Sequence, residues 1–173
     1  RYRFIENNQP HFLTCTTVNW LPLLTDEPIV RIILQSLQFL LDRGRLELYA
    51  YVIMKSHLHM IASSKSLSNE VRKFKSFTAR EIIDYFNESG SIETLEKLRR
   101  YKLRHKGDRT HQLWQEGSHP ELIQSPEMMR EKIDYIHYNP VRESDIEDPL
   151  EWPYSSARDY AGNRGFLKIT TTW

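Results

Sequence analysis

The stretch from Leu46 to Ala62 limits the possible folds of this chain more than any other segment. It is rich in aromatic, β-branched and other apolar residues, and Lys55-Ser56 divides it. Two strands are expected, Leu46 to Met54 and His57 to Ala62, with Lys55 and Ser56 as a tight turn. Strands joined by so short a connection run antiparallel, because a parallel pair needs a crossover of a dozen residues or more.

The second strand of that hairpin opens with His57-Leu58-His59. Side chains two apart on a strand point to the same face. Both imidazoles can therefore meet one metal ion while Leu58 enters the core. Imidazole suits Zn, Mn, Fe, Ni and Cu better than Mg or Ca, unless oxygen ligands are also present. The competing reading is two surface histidines on a half-exposed strand.

Around the hairpin, helical and strand periods alternate. His11 to Asn19 reads as a first strand. Pro28 to Leu41 carries Ile29, Ile32, Ile33, Leu37, Leu40 and Leu41 at helical spacing, with Asp26 as N-cap and Gly44 as the stop. Leu67 to Phe86 reads as a second helix with Val71, Phe74, Phe77, Ile82, Ile83 and Phe86 as its buried stripe. A short charged helix is expected between Ile92 and Arg104. Gln112 to Trp114 and Glu121 to Ile123 form a short fourth strand and its approach. Ser125 caps a further helix with Pro126 in its first position. Pro140 disfavours helical geometry at Asn139, so that helix should end there. A tail from about residue 141 contains Trp152-Pro153-Tyr154-Ser155-Ser156 and a short helix reaching Tyr160. The order strand, helix, strand, strand, helix, strand, helix predicts an α+β fold. It should be a ferredoxin-like antiparallel sheet with helices packed on one face, in a single domain spanning residues 1–173. That fold serves many functions and decides none.

Composition narrows the class. The 173 residues are 39% hydrophobic and 12% aromatic, as in an ordinary globular protein. The single cysteine, Cys15, lies in an apolar run and is expected to be a buried, inert thiol. No run approaches the roughly 18 apolar residues of a membrane span, and a soluble cytoplasmic protein is expected. Net charge is only +1, but it is segregated. Lys97, Arg99, Arg100, Lys102, Arg104, Lys106 and Arg109 face a single acid, Asp108, within one segment. Such a run creates a local positive field and is the leading candidate for phosphate contact; Arg72, Lys73 and Lys75 are weaker ones. A solvated charged loop is the alternative. Trp114, Trp152 and Tyr154 are candidates to stack on unpaired bases, against a reading of all three as core.

A second cluster runs from Ile133 to Pro140. Tyr135 and Asn139 are four apart on a helix and share a face, so a phenol and a carboxamide oxygen can converge. The alternative makes Tyr135 a core or interface aromatic and Asn139 a helix cap. Tyr138, three residues beyond Tyr135 and close to the same face, is a competing candidate phenol. His137 lies about 200° around the helix from Tyr135 and is not expected at the same site. His111 and His119 remain unassigned.

Together these segments resemble the HUH nucleases and transposases, in which two histidines around a hydrophobic strand residue bind a metal and a helix tyrosine attacks DNA. The likeness is closer to the REP-associated tyrosine transposases. It is carried by Tyr135 to Val141, by Trp114 to Pro120 and by Trp152 to Ser156, in that family's order, over roughly residues 10 to 160. The resemblance implies Tyr135 as nucleophile, with His57, His59 and Asn139 as ligands of a divalent ion, Mg²⁺ or Mn²⁺. Arg99, Arg100, Lys102, Arg104, Lys106 and Arg109 would then contact DNA. It implies nicking and rejoining of single-stranded DNA beside a hairpin through a 5′-phosphotyrosine, by a monomer or homodimer. Two other readings stand beside it: a non-catalytic hairpin-binding module, and a metal-dependent nuclease that uses water.

Overall fold

The computed structural model describes residues 3–5 and 8–173. Strand β1 (His11–Thr16) leads to helix α1 (Glu27–Asp42), then to the hairpin of β2 (Glu47–Ile53) and β3 (His57–Ser63). Helices α2 (Leu67–Glu88) and α3 (Ile92–Arg100) follow. Strand β4 (Glu121–Leu122), α4 (Pro126–Glu143) and α5 (Ala157–Tyr160) complete the chain. The sheet order is β2-β3-β1-β4 with antiparallel neighbours, the α+β arrangement expected of a ferredoxin-like chain. His59 lies opposite Thr14 and His57 opposite Thr16.

Helices cover both faces of this sheet, not the expected one. Leu13, Cys15, Tyr51, Leu58 and Met60 pack with Ile33, Leu37, Val71 and Phe74 of α1 and α2. Phe12, Ala50, Val52 and Ile61 pack with Met129, Ile133 and Ile136 of α4. Every residue of β3 is buried, and so is all of β2 except Glu47. Strands buried this completely need cover on both sides. The free edge of β2 is also closed. Ile53 N–H donates to Tyr154 O at 2.9 Å, Ser156 N–H to Tyr51 O at 3.0 Å and Thr170 N–H to Leu48 O at 2.9 Å. The tail thus removes an edge that could pair with another chain.

Several local expectations change. Strand β1 stops at Thr16, because Val18–Trp20 forms a 3₁₀ turn with Asn19 at φ 51° and Trp20 at φ 55°. Asp26 sits at the N-cap of α1 without a side-chain capping bond. Phe77 falls off the buried stripe of α2 and is 45% exposed, with the Arg80 guanidinium 5.5 Å from its ring centroid. Helix α3 ends at Arg100, short of Arg104. Residues 113–118 form no strand but lie along β1. Val18 N–H donates to Leu113 O, Gln115 N–H to Thr16 O and Thr14 N–H to Ser118 O, at 2.7–2.9 Å.

The most consequential change is in α4. It passes through Asn139-Pro140 and ends at Glu143, where Ser144 N–H donates to Pro140 O at 2.9 Å. Local sterics before a proline oppose this path. Tertiary packing overrides them: Asn139 is 1% exposed and Pro140 is buried. Among the described residues no helix is long and apolar enough to cross a membrane.

Candidate active site

β3 and α4 bring the predicted histidine, tyrosine and asparagine side chains together on the α4 face of the sheet. The His57 and His59 rings share that face, with centroids 4.6 Å apart. Leu58 between them is fully buried in the opposite core. His57 Nε2 lies 3.4 Å from Asn139 Oδ1. The Tyr135 ring meets His59 edge-on at 5.3 Å and Phe12 at 5.8 Å, while Phe12 stacks on His59 at 5.3 Å. Both histidines are nearly buried, but Tyr135 is 43% exposed. A phenol at the surface above two sheltered imidazoles can be reached by a large substrate.

The outer atoms of the two rings orient them. His59 Nδ1 is 2.9 Å from Thr14 Oγ1, its cross-strand neighbour. His57 Nδ1 is 3.3 Å from Ser56 Oγ. An Nδ1–H donated to a hydroxyl leaves the Nε2 lone pair free, the tautomer a metal ligand needs. Burial, reinforced by His57, Arg142 and Lys132, pushes His59 down to about 3. Burial also lowers His57, against the opposing pull of Glu143 and Asn139. The imidazoles are thus held neutral near pH 7.

Ligands on one divalent ion at about 2.1 Å each stand no more than about 4.2 Å apart. The 3.4 Å between His57 Nε2 and Asn139 Oδ1 is long for a hydrogen bond and well suited to a shared ion. Among the described residues, no three His, Cys, Asp or Glu side chains are gathered closely enough to hold a metal by themselves. The oxygen of Asn139 is needed for the donor set to fit.

Sequence reasoning missed several neighbours. Arg142 donates from Nη2 to Tyr135 O at 2.5 Å, and its guanidinium carbon is 4.7 Å from the Tyr135 ring centroid. Glu143 Oε2 lies 3.9 Å from His57 Nε2. Trp20, 58% exposed, meets His57 edge-on at 5.6 Å. Arg142 and Glu143 were hidden by ending the helix at Asn139, and Trp20 by extending β1 to Asn19. The signal available for the turn was Asn19, a residue type that tolerates positive φ.

Other candidates fall elsewhere. Tyr138 is 50% exposed on the same helix. His137 is buried and bonds Ser156 Oγ through Nε2 at 2.8 Å, holding the tail instead of joining the histidine pair. Trp114 is core, donating Nε1–H to Thr78 Oγ1 at 3.0 Å, and Trp152 donates to Ile53 O at 2.9 Å. Tyr154 is partly buried against the α1–α2 core. Cys15 is fully buried, and burial raises its thiol.

In the basic run, Arg99, Arg100 and Arg104 are exposed. Lys97 pairs with Glu93 at 2.6 Å, Lys106 with Glu116 at 2.5 Å and Arg109 with Asp108 at 2.7 Å, so part of the charge is answered locally. Lys102 donates to Lys106 O at 2.7 Å. Lys106, Arg109 and His111 line a cleft of about 650 Å³ with Arg72 and Lys75. Lys75 holds the 113–118 segment in place, donating to Gln115 O at 2.7 Å and Gly117 O at 2.5 Å.

No family model and no curated protein matches this chain. Among solved structures it is similar to the REP-associated tyrosine transposase bound to a REP hairpin. The two share 20% identity over 100% of this chain and 93% of that one, with a TM-score of 0.63. A second similar structure is a Deinococcus radiodurans R1 protein whose assignment as a transposase is provisional. Its identity is 20% over 80% of this chain and 95% of that one, with a TM-score of 0.47. At this level of identity the first likeness establishes architecture: the chain has the fold of the REP-associated tyrosine transposase.

Proposed function

We propose that this protein is a metal-dependent tyrosine transesterase that nicks and rejoins single-stranded DNA beside a hairpin. The observation that carries this reading is the convergence of Tyr135, His57, His59 and Asn139 at one site built by β3 and α4. The hairpin is suggested by the structural neighbour, which was solved bound to one.

In this reading the Tyr135 oxygen attacks a DNA phosphorus and loses its proton. The 3′ oxygen leaves and takes up a proton, so the products are a 5′-phosphotyrosine and a free 3′ hydroxyl. The ester keeps the phosphodiester energy, and a second 3′ hydroxyl can reverse the step without ATP. His57, His59 and Asn139 would hold a divalent ion, Mg²⁺ or Mn²⁺. Bound there, the ion polarises the scissile phosphate and offsets its developing charge. Thr14 and Ser56 fix the imidazole rings. Arg142 places a cation over the Tyr135 ring, where it favours a phosphate approaching the phenol. Arg99, Arg100, Lys102, Arg104, Lys106 and Arg109 supply backbone contacts distant from the chemistry. All the reacting groups come from one chain, which supports a site that works without a partner subunit.

The test is incubation with a single-stranded DNA carrying a hairpin, with Mn²⁺ or Mg²⁺, followed by a denaturing gel. A protein–DNA adduct that needs the ion is expected. Nicked DNA without an adduct would identify a hydrolytic nuclease, and binding without cleavage a hairpin-binding module.

A further inference from the structure

Val18–Trp20 turns the chain out of β1, and two successive residues there hold positive φ, Asn19 at 51° and Trp20 at 55°. Asparagine tolerates that conformation. For a bulky tryptophan it is an outlier that lasts only where the surroundings impose it. They do so here. Thr17 N–H donates to Ser56 O at 2.9 Å, and the Thr17 hydroxyl stands 2.7 Å from Leu21 O and 3.0 Å from Ser56 O. Val18 N–H donates to Leu113 O at 2.7 Å and Leu24 N–H to Lys55 O at 2.8 Å. The segment is thus fixed to the β2–β3 turn, and it leaves the Trp20 side chain 58% exposed beside His57. Trp114, Trp152 and Trp173 donate their indole N–H groups to protein oxygens. Among the described residues, Trp20 alone of the four tryptophans has no acceptor for its own.

Trp20, His57, His59 and Tyr135 form a row of rings whose neighbouring centroids are 5.6, 4.6 and 5.3 Å apart. The two ends of the row are exposed and the two imidazoles between them are nearly buried. We propose that Trp20 is a stacking platform for an unpaired DNA base, holding one of the bases nearest the scissile phosphate while that phosphate lies at Tyr135. Resting on the strand-transfer reading above, this assignment adds the residue that positions the strand within the site. The ends of the row differ in chemistry. Arg142 places a cation over the Tyr135 ring, which suits a phosphate. The uncharged indole at the other end suits the flat π-face that every base offers, whatever the sequence. Because the turn is already fixed, little conformational freedom is lost when the base docks.

The experiment is fluorescence anisotropy with a labelled hairpin DNA that carries a single-stranded extension, in EDTA so that the strand stays whole. Each nucleotide in turn is replaced by an abasic one, and each DNA is titrated with the wild type, Trp20→Ala and Trp20→Phe. The cleavage position is mapped separately with the wild type and Mn²⁺, and circular dichroism confirms that the variants fold. Trp20→Ala should weaken binding of the intact DNA about 5- to 100-fold, the range for one base stacked on an aromatic side chain, and Trp20→Phe much less. At one position near the cleavage site, the abasic DNA should bind the wild type about as weakly as intact DNA binds Trp20→Ala. The two changes together should then cost little more than either alone. Additive losses at every position overturn the inference, because a residue that merely covers His57 does not couple to a base. Coupling confined to the hairpin also overturns it, since the indole would then act away from the chemistry. Unaltered binding by Trp20→Ala, with cleavage by the wild type intact, overturns it and leaves strand transfer standing. A wild type that binds none of these DNAs, or never cleaves them, overturns strand transfer and this inference with it.

Discussion

Arg142 folds back over Tyr135: its guanidinium donates to the Tyr135 carbonyl at 2.5 Å and covers the ring at 4.7 Å. The two residues are seven apart, two turns of α4, and the contact depends on the turn beyond Pro140. A planar cation over a phenol is held there by the ring quadrupole and stays available to a phosphate. Arg142→Ala should slow covalent adduct formation about 10-fold with little change in fold, and Arg142→Lys should recover part of it. Single-turnover cleavage of a hairpin substrate measures this. Equal rates in the wild type and Arg142→Ala would remove Arg142 from the site.

Thr14 acts through His59. Its hydroxyl is 2.9 Å from His59 Nδ1, and a bond there would leave Nε2 free for the proposed ion. Thr14→Val keeps the shape and β-branching but removes that partner. Mn²⁺ affinity should fall about 10- to 100-fold, the range for a ligand-orienting bond, with cleavage falling in parallel at sub-saturating metal. Recovery of cleavage at high Mn²⁺ is expected. An unaltered Mn²⁺ titration would show that the ring is held by packing alone.

The basic run yields a prediction about salt. Neutralising Arg99, Arg100, Lys102 and Arg104 together should weaken DNA binding. It should also flatten the log–log salt dependence by roughly 0.7 for every phosphate that the variant no longer neutralises. Lys97, Lys106 and Arg109 already have acidic partners, so their individual removal should matter less. Fluorescence anisotropy over a range of salt concentrations measures the slope. An unchanged slope would make the run a solvated face.

What the sequence reveals here depends on how local the deciding interaction is. The order of elements, and a hairpin with His57 and His59 on one face and Leu58 on the other, followed from period and spacing. The second helical cover on the sheet was missed, although nearly unbroken burial of β2 and β3 required it. The end of α4 was misplaced because the rule for residues before proline is local, whereas burial of Asn139 and Pro140 is tertiary. That error hid Arg142 and Glu143. Trp20 was lost in a similar way: Asn19 is a residue type that tolerates positive φ, but nothing in the sequence announces that the tryptophan after it takes one too. The aromatic residues singled out for stacking, Trp114 and Trp152, donate their indole N–H groups to protein oxygens, and Trp20 is the exposed indole beside His57.

If Tyr135 forms the covalent bond to DNA, as proposed, the adduct on a denaturing gel must depend on its hydroxyl, and Tyr135→Phe beside the wild type measures this. The substitution removes one hydroxyl from a 43% exposed ring, so the fold and the ring contacts with His59 and Phe12 should survive. Tyr135→Phe should bind the hairpin normally and give no adduct and no cleavage, while Tyr138→Phe retains both. Adduct formation by Tyr135→Phe, with its loss in Tyr138→Phe, would contradict the assignment of the nucleophile, and cleavage by Tyr135→Phe without any adduct would contradict the transesterase itself.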